Sequence, residues 1–433
     1  MSGAGSHPDG PAPPTRFELL SWCLYDFANS AFPTLITTVA YAVYFTQAVA
    51  GGSPHASLLW GAAISASMVV SGLISPWVGA IADHQASKKR WLLIFTVMSI
   101  VPTALLFFVK PGDVIVGMGL FIVANIGFAA GNGLYNGFLP ELSDETNVGR
   151  LSGYGYALGY SGGLLALVLC LPLLSGGFGE GHDVAFRGSF LVTAAFFAVF
   201  SLPTFLWLRE RARPMPRPPG VSLAWVGWAR LRQTFGHVRQ LRELFKFLTA
   251  FLIYNDGIET VIYFSSIYAV SVLHFSMLEA VYLFMAVQLT ALVGSLVFGP
   301  ITDRLGARPT IILTLILWCG VVTAAFFATT KGAFWVIALV AGIGLGSNQA
   351  ASRGLMRLFV PAGRDAEFYG FFSICGKFSS LMGPLVYGTV ASLAASERIA
   401  ILSVLVFFAA GLPLLLWVDV EAGRKAARDP ALS

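Results

Sequence analysis

The chain is dominated by long apolar runs, and its charged residues collect in the short segments between them. About 20 apolar residues suffice for a helix to cross the hydrocarbon core of a bilayer. Because water is absent there, each backbone amide must be satisfied within its own segment, which an α-helix achieves. The pattern predicts twelve membrane-spanning helices near residues 20–49, 57–82, 91–109, 113–139, 151–175, 187–208, 247–272, 278–302, 309–328, 333–359, 368–393 and 398–418.

Composition agrees with a membrane protein. Of 433 residues, 56% are hydrophobic and 11% charged, whereas soluble domains carry about 25% charged residues. The four cysteines fall singly inside apolar runs, without the spacing of metal ligands or redox pairs. We therefore expect buried free thiols, no metal, no cofactor, no nucleic-acid partner and no enzymatic activity. The expected surroundings are the lipid bilayer.

The distribution of positive charge predicts the orientation of the chain. Taking alternate connections, 22 of the 27 Lys and Arg residues fall on the side of the N-terminus and four on the other. Cytoplasmic loops carry the excess of Lys and Arg. We expect both termini in the cytoplasm, and the protein in the inner membrane of a bacterium.

Two halves of the chain share landmarks. Asp83 and Asp303, which follow the second and eighth spans, are 220 positions apart, and Pro140 and Pro361 are 221 apart. The first and seventh spans both carry a tyrosine close to an aspartate. These offsets indicate duplication of a six-helix unit, and the halves are parallel because six helices return the chain to its starting side.

The predicted organisation follows from these boundaries. It comprises a disordered tail over 1–19, a six-helix bundle over 20–208, a basic cytoplasmic linker over 209–246, a second six-helix bundle over 247–418 and a cytoplasmic tail over 419–433.

The connections after the second and eighth spans resemble the G-x-x-x-D-R-x-G-R-[RK] motif of the major facilitator superfamily. The second copy supplies Gly299, Asp303, Arg304, Gly306 and Arg308, and the first supplies Gly79, Asp83 and a basic cluster that includes Lys88. The first copy departs from the motif at His84 and Ala86, where Arg and Gly are usual. The segments WCLYDFANSAFPTLITTVAYAVYF and YNDGIETVIYFSSIY resemble the vacuole-effluxer-like branch, which includes autophagy-linked amino-acid exporters and bacterial members.

The resemblance implies a major facilitator fold: an all-α polytopic protein with two parallel six-helix repeats that exposes a central site alternately to each side. It also implies a gating role for the loop motifs, to which we add Arg353 at the cytoplasmic mouth. We expect the two aspartates to cap the following helices and to bond across the halves.

A charge inside a span costs about 2.5–3.5 kcal/mol on insertion scales, so these residues are functional candidates. Asp26 and Asn29 share a face of the first helix, with Pro33 one turn further. They could bind a proton or a substrate amine. The alternative is a structural role, in which Asp26 lies near the cytoplasmic end of its span and hydrogen-bonds to helix ends.

Asp256 and Glu259 share a face of the seventh helix, and Lys377 is the only cation deep in a span of that half. We expect Lys377 to pair with one of the two acids. Two neighbouring acids repel and leave a carboxylate available for proton coupling. A static triad that joins helices 7 and 11 is the alternative.

The resemblance places helices 1, 4, 7 and 10 around the central cavity. Further candidate substrate contacts are therefore Asn132, Asn136, Tyr156, Tyr254, Asn348 and Gln349. Amides of this kind also join neighbouring helices without binding a substrate.

The favoured function is a monomeric secondary transporter for a small polar solute, with an amino acid or related metabolite preferred and protons as the coupling ion. The alternatives are an uncoupled facilitator, an exporter of another organic solute, a sensor or scaffold without transport, and an intramembrane hydrolase.

Overall fold

A computed structural model of the chain describes residues 14–142, 148–179, 181–211, 225, 229, 232, 235, 236, 238–360 and 365–428. Across these residues the regular structure is helical, and twelve membrane-length segments are numbered α1 to α12. Nine are continuous: α2 is Ala56–Gln85, α3 Lys88–Leu105, α4 Val114–Asn136, α5 Val148–Leu174, α6 Asp183–Trp207, α7 Arg242–Leu273, α8 Met277–Leu305, α9 Ala307–Phe327 and α10 Lys331–Phe359.

The other three segments are interrupted. α1 begins as Arg16–Asn29 and continues through Phe32–Val39 and Phe45–Val49, which are π-helical, and Ala40–Tyr44, which is α-helical. α11 consists of α11a, Asp365–Phe378, and α11b, Met382–Ala394, while α12 consists of Glu397–Ser403 and Leu405–Leu416. Short helices follow at Leu139–Leu142 and Val420–Ala427. The change of winding in α1 falls at Pro33, as expected of a residue that cannot donate a backbone hydrogen bond.

Among the described residues, nine helices are long and apolar enough to cross a membrane on length and mean hydropathy. The three segments outside this set are α1, α7 and α11, which carry the ionisable residues of the predicted site. α1 and α11 are interrupted, and their longest continuous pieces, of 14 residues each, are too short to span the membrane alone. α7 is continuous, and Asp256 and Glu259 lower its hydropathy.

The packing pattern repeats after six helices. In the first half α2 packs on α4, α3 on α4 and α1 on α6; in the second half α8 packs on α10, α9 on α10 and α7 on α12. The predicted fold, two parallel repeats of six helices, is confirmed.

The halves meet most tightly on the side away from the termini. There the start of α2 packs against α11b so closely that a Cβ at Gly388 would lie 2.7 Å from the Leu58 Cα atom. Ser65 Oγ donates to the carbonyl of Leu381 at 2.7 Å, and Ser57 Oγ donates to Glu397 Oε1. α11a contacts α2 and α4 much less extensively. The interface is therefore closed on this side and looser on the side of the termini.

Candidate functional site

A small polar cavity surrounds Asp26 of α1. It has a volume of about 60 Å³, and it is lined by Trp22, Asp26, Asn132, Tyr135, Asn136, Leu139 and Tyr156. Three of the residues predicted as substrate contacts on helices 4 and 5 thus surround the acid predicted on helix 1. Asn29 lies one turn beyond Asp26 and is buried at 4% exposure.

Close packing and aromatic contacts hold Asp26 in place. α5 approaches α1 so closely that a Cβ at Gly159 would lie 3.2 Å from Asp26 Oδ2. On the other side, Trp22 Nε1 donates to the carbonyl of Tyr135 at 3.2 Å, and the two rings stack with centroids 4.6 Å apart. The carboxylate therefore sits in a rigid frame built by α1, α4 and α5.

Residues of α10 reach this cavity from the other half. The guanidinium of Arg353 lies over the ring of Tyr156, 3.8 Å from its centroid, and donates to the Tyr156 hydroxyl. The guanidinium forms no ion pair with Asp26 among the described contacts and acts on that carboxylate only through longer-range electrostatics. One turn away, Tyr160 donates to Gln349 Oε1 at 3.4 Å. The site is thus shared by the two halves, with an anion from α1 and a cation from α10.

Asp256 has a partner that the sequence did not predict. Its Oδ2 accepts from the amide of Met382 at 3.0 Å, and its Oδ1 accepts from the amide of Gly383 at 2.8 Å. These are the first two residues of α11b, whose free amides attract a carboxylate. A Cβ at Gly383 would lie 2.6 Å from Asp256 Oδ1, so this approach requires glycine. Asp256 therefore caps the helix that begins after the break in α11.

The other polar residues of α7 also face this break. Asn255 Nδ2 donates to Ser379 Oγ at 2.6 Å, and the Tyr263 hydroxyl donates to Ser380 Oγ at 3.4 Å. Glu259 lies one turn before Tyr263 on α7 and is partly exposed. Unlike Asp256, it accepts no helix amide among the described hydrogen bonds.

The predicted ion pair of Lys377 with Asp256 or Glu259 does not form. Lys377 Nζ instead donates to Ser75 Oγ of α2 at 3.3 Å, and it lies 2.7 Å from where a Cβ would stand at Gly133 of α4. The prediction was wrong because Lys377 ends α11a, on the far side of the break from the segment that Asp256 caps. The side chain points across the interface between the halves.

Two predicted contacts of the C-terminal half join helices instead of lining the Asp26 cavity. The Tyr254 hydroxyl bonds to Ser352 Oγ at 2.8 Å, and Asn348 Nδ2 donates to Thr314 Oγ1 at 2.9 Å. Asn348 is 1% exposed. These bonds join α7 and α9 to α10. Joining neighbouring helices without binding a substrate was the alternative role considered for such side chains.

The structure describes the side chains of only some of the predicted gating residues. The side chains of Asp83 and Asp303, and residue Gly299, lie outside what it describes in side-chain detail. Gly306 has φ +91° where α8 ends, so a glycine is required there.

The described bonds of the basic residues in the two loop motifs stay within one half, whereas Arg353 bonds to Tyr156 of the other half. Lys88 Nζ is 2.8 Å from Glu141 Oε1, and Arg308 Nε donates to the carbonyl of Leu415 at 3.2 Å. Arg304 is exposed and Gly79 has open space at its Cβ position. A gating role across the halves stays a prediction.

Sequence reasoning missed several residues that the site depends on. Gly159 and Gly383 matter only because they let two helices approach closely. Glu397 bonds to Ser57 across the interface, but the predicted helix bounds placed it in a loop. Trp22 could have been found, because it lies four residues before Asp26 on the same helical face.

The described part of the chain contains no group of three or more His, Cys, Asp or Glu residues able to hold a metal ion.

The helix order, the repeat and the shared central site define a major facilitator transporter. The fold is similar to that of a bacterial homologue of the human lysosomal transporter Spinster in an inward-facing, unoccupied conformation, with TM-score 0.70, 15% identity and coverage of 96% of this chain and 100% of that one. It is also similar to the xylose transporter XylE of E. coli in an inward-open conformation, with TM-score 0.69, 15% identity and coverage of 95% and 99%.

The sequence identifies the family within that class. A family model described as "Vacuole effluxer Atg22 like" matches residues 55–428, and the chain belongs to this family. It is 29% identical over 416 residues to the uncharacterized MFS-type transporter YxiO of Bacillus subtilis (strain 168), covering 94% of this chain and 96% of that protein. It is 25% identical over 411 residues to Autophagy-related protein 22 of Saccharomyces cerevisiae (strain ATCC 204508 / S288c), covering 83% and 76%.

Proposed function

We propose that the protein is a proton-coupled secondary transporter that moves a small polar solute, with an amino acid or related metabolite preferred, by alternating access. The observation that carries the proposal is the cavity around Asp26 of one half, whose lining residue Tyr156 is contacted by Arg353 of the other half. A solute bound there touches both halves, so its binding can favour one arrangement of the halves over another.

Asp26 is the group that would receive a positively charged part of the solute. Its rigid frame positions the carboxylate, while Asn132, Asn136 and Tyr156 supply neutral donors and acceptors. A solute amine at Asp26 would lie beside Tyr156, which Arg353 of the other half contacts. Binding and the contact between halves would then be linked.

Glu259 is the group that would carry the proton. Both oxygens of Asp256 already accept helix amides, whereas Glu259 accepts none among the described hydrogen bonds and is partly exposed. Glu259 is therefore free to change its protonation as the halves move, without uncapping a helix.

The family description, which names a vacuole effluxer, supports export. We place the protein in a bacterial inner membrane with both termini in the cytoplasm, on the strength of the charge asymmetry. The loose side of the interface then faces the cytoplasm.

Counterflow in proteoliposomes tests the proposal. Vesicles loaded with one amino acid at high concentration should accumulate the labelled compound, and Asp26→Asn should reduce the initial rate at least tenfold. Glu421→Gln, which removes an exposed carboxylate of the terminal helix, should leave the rate unchanged. Absence of counterflow for amino acids and for other small metabolites would contradict the transporter proposal and favour a sensor or scaffold.

A further inference from the structure

Lys377 is a positive charge at membrane depth that has no anionic partner among the residues that the structure describes. Its described polar contact is the neutral hydroxyl of Ser75, at 3.3 Å. No described carboxylate forms an ion pair with Lys377, and Asp256 is held by the backbone of α11b instead. Because a lone charge inside a span is costly, a residue of this kind indicates an anion that is present at another stage of the cycle.

The surroundings of Lys377 are partly accessible. Lys377, Ser75 and Gly133 are all partly exposed, and they lie between α2, α4 and α11a, where the halves pack loosely. A Cβ at Gly133 would lie 2.7 Å from Lys377 Nζ, so glycine at this position leaves room for the ammonium group.

Lys377 and the Asp26 cavity adjoin neighbouring faces of α4. Gly133, next to Lys377 Nζ, and Asn132, which lines the cavity, are adjacent residues, so they differ in depth by about 1.5 Å. In projection along the helix Asn136 falls between them, about 40° from Asn132 and about 60° from Gly133. Asn136 is exposed and lines the Asp26 cavity. A solute at Asp26 would therefore approach Lys377 if it extended past Asn136.

The other cation of the site is already engaged. Arg353 stacks on the ring of Tyr156 and donates to its hydroxyl. Among the described side chains, Lys377 has only neutral neighbours. We infer that Lys377 is the residue that recognises an acidic group of the solute, and that it selects carboxylate-bearing solutes over their neutral analogues. This inference rests on the proposed transport function.

Matched compounds that differ only in the acidic group provide the test. The purified protein is heated with amino acids and their carboxamides, for example L-leucine and L-leucinamide, and with lactate and lactamide. A ligand that binds only the folded state raises the unfolding temperature. The amino acids and lactate should raise the unfolding temperature, and their carboxamides should raise it less. In counterflow the wild type should prefer the carboxylate at least tenfold.

Four variants separate the charge from the packing. Lys377→Gln should reduce the preference to about one, whereas Lys377→Arg should retain part of it. Ser75→Ala removes the hydrogen bond but not the charge and should keep the preference. Lys331→Gln removes a lysine that pairs with Glu279 at a partly exposed site and should behave as the wild type.

The outcomes distinguish this inference from the transport proposal. If the wild type transports solutes but does not distinguish acids from amides, or if Lys377→Gln keeps the preference, the role of Lys377 is refuted and the transporter stands. If no compound shows counterflow or a shift of the unfolding temperature, the transporter proposal fails and the inference fails with it.

Discussion

Asp256 and Glu259 are one helical turn apart, and the structure predicts opposite consequences when each loses its acid. Asp256 caps α11b through two amide hydrogen bonds at 3.0 and 2.8 Å. In Asp256→Asn the side-chain oxygen can accept only one of them, and the NH₂ group faces the other donor. Glu259→Gln leaves no helix terminus without its acceptor.

The magnitudes follow from these contacts. Leaving one buried amide donor unsatisfied costs about 1–3 kcal/mol. Removing a negative charge from a helix N-terminus costs about 0.3–1 kcal/mol more. The unfolding free energy of Asp256→Asn should therefore fall by roughly 1–4 kcal/mol, because both effects act in the folded state. Glu259→Gln should change it by less than about 1 kcal/mol.

Two assays on the same preparations decide the assignment. Denaturant unfolding in detergent micelles reports the stability, and solute flux driven by an imposed pH gradient reports the coupling. Glu259→Gln should retain counterflow but lose flux driven by the gradient, while folded Asp256→Asn should retain both. If Asp256→Asn is as stable as Glu259→Gln, the capping role is refuted. If Asp256→Asn alone abolishes gradient-driven flux, coupling belongs to Asp256.

Two further substitutions test the packing around the site. Gly383→Ala places a methyl group 2.6 Å from Asp256 Oδ1 and should lower the unfolding free energy by about 1–3 kcal/mol. The control Gly332→Ala meets open space in α10 and should leave the unfolding free energy unchanged. Equal stability of the two variants would contradict the close packing. Ser57→Ala removes the hydrogen bond to Glu397 on the closed side, and hydrogen bonds to charged groups contribute about 1.5–3 kcal/mol. A membrane-impermeant thiol reagent should therefore label a cysteine introduced by Ser65→Cys at least several-fold faster in the Ser57→Ala background. An unchanged labelling rate would show that the bond does not hold that side closed.

Much of the fold could be predicted because a bilayer imposes strong constraints on sequence. Length and apolarity locate a membrane helix, and the landmarks repeated at offsets of 220 and 221 residues identify the halves. The cost of an intramembrane charge also marked Asp26, Asp256, Glu259 and Lys377 as residues with specific partners.

The partners themselves could not be predicted. In a membrane helix the lipid-facing and protein-facing sides are both apolar, so periodicity carries little information about which neighbour a face meets. The three residues between α11a and α11b interrupt the helix, and they set Lys377 apart from the acids of α7. Pairing by charge alone therefore gave the wrong contact.

The sequence by itself determined the twelve helices, their repeat, the family and the residues that carry charge into the membrane, because each of these depends on local apolarity or on a short motif. Only the tertiary structure decided that Asp256 caps α11b, that Arg353 stacks on Tyr156 across the halves and that Lys377 points toward α2 and α4. These contacts depend on where a helix breaks and on how closely glycines allow two helices to approach.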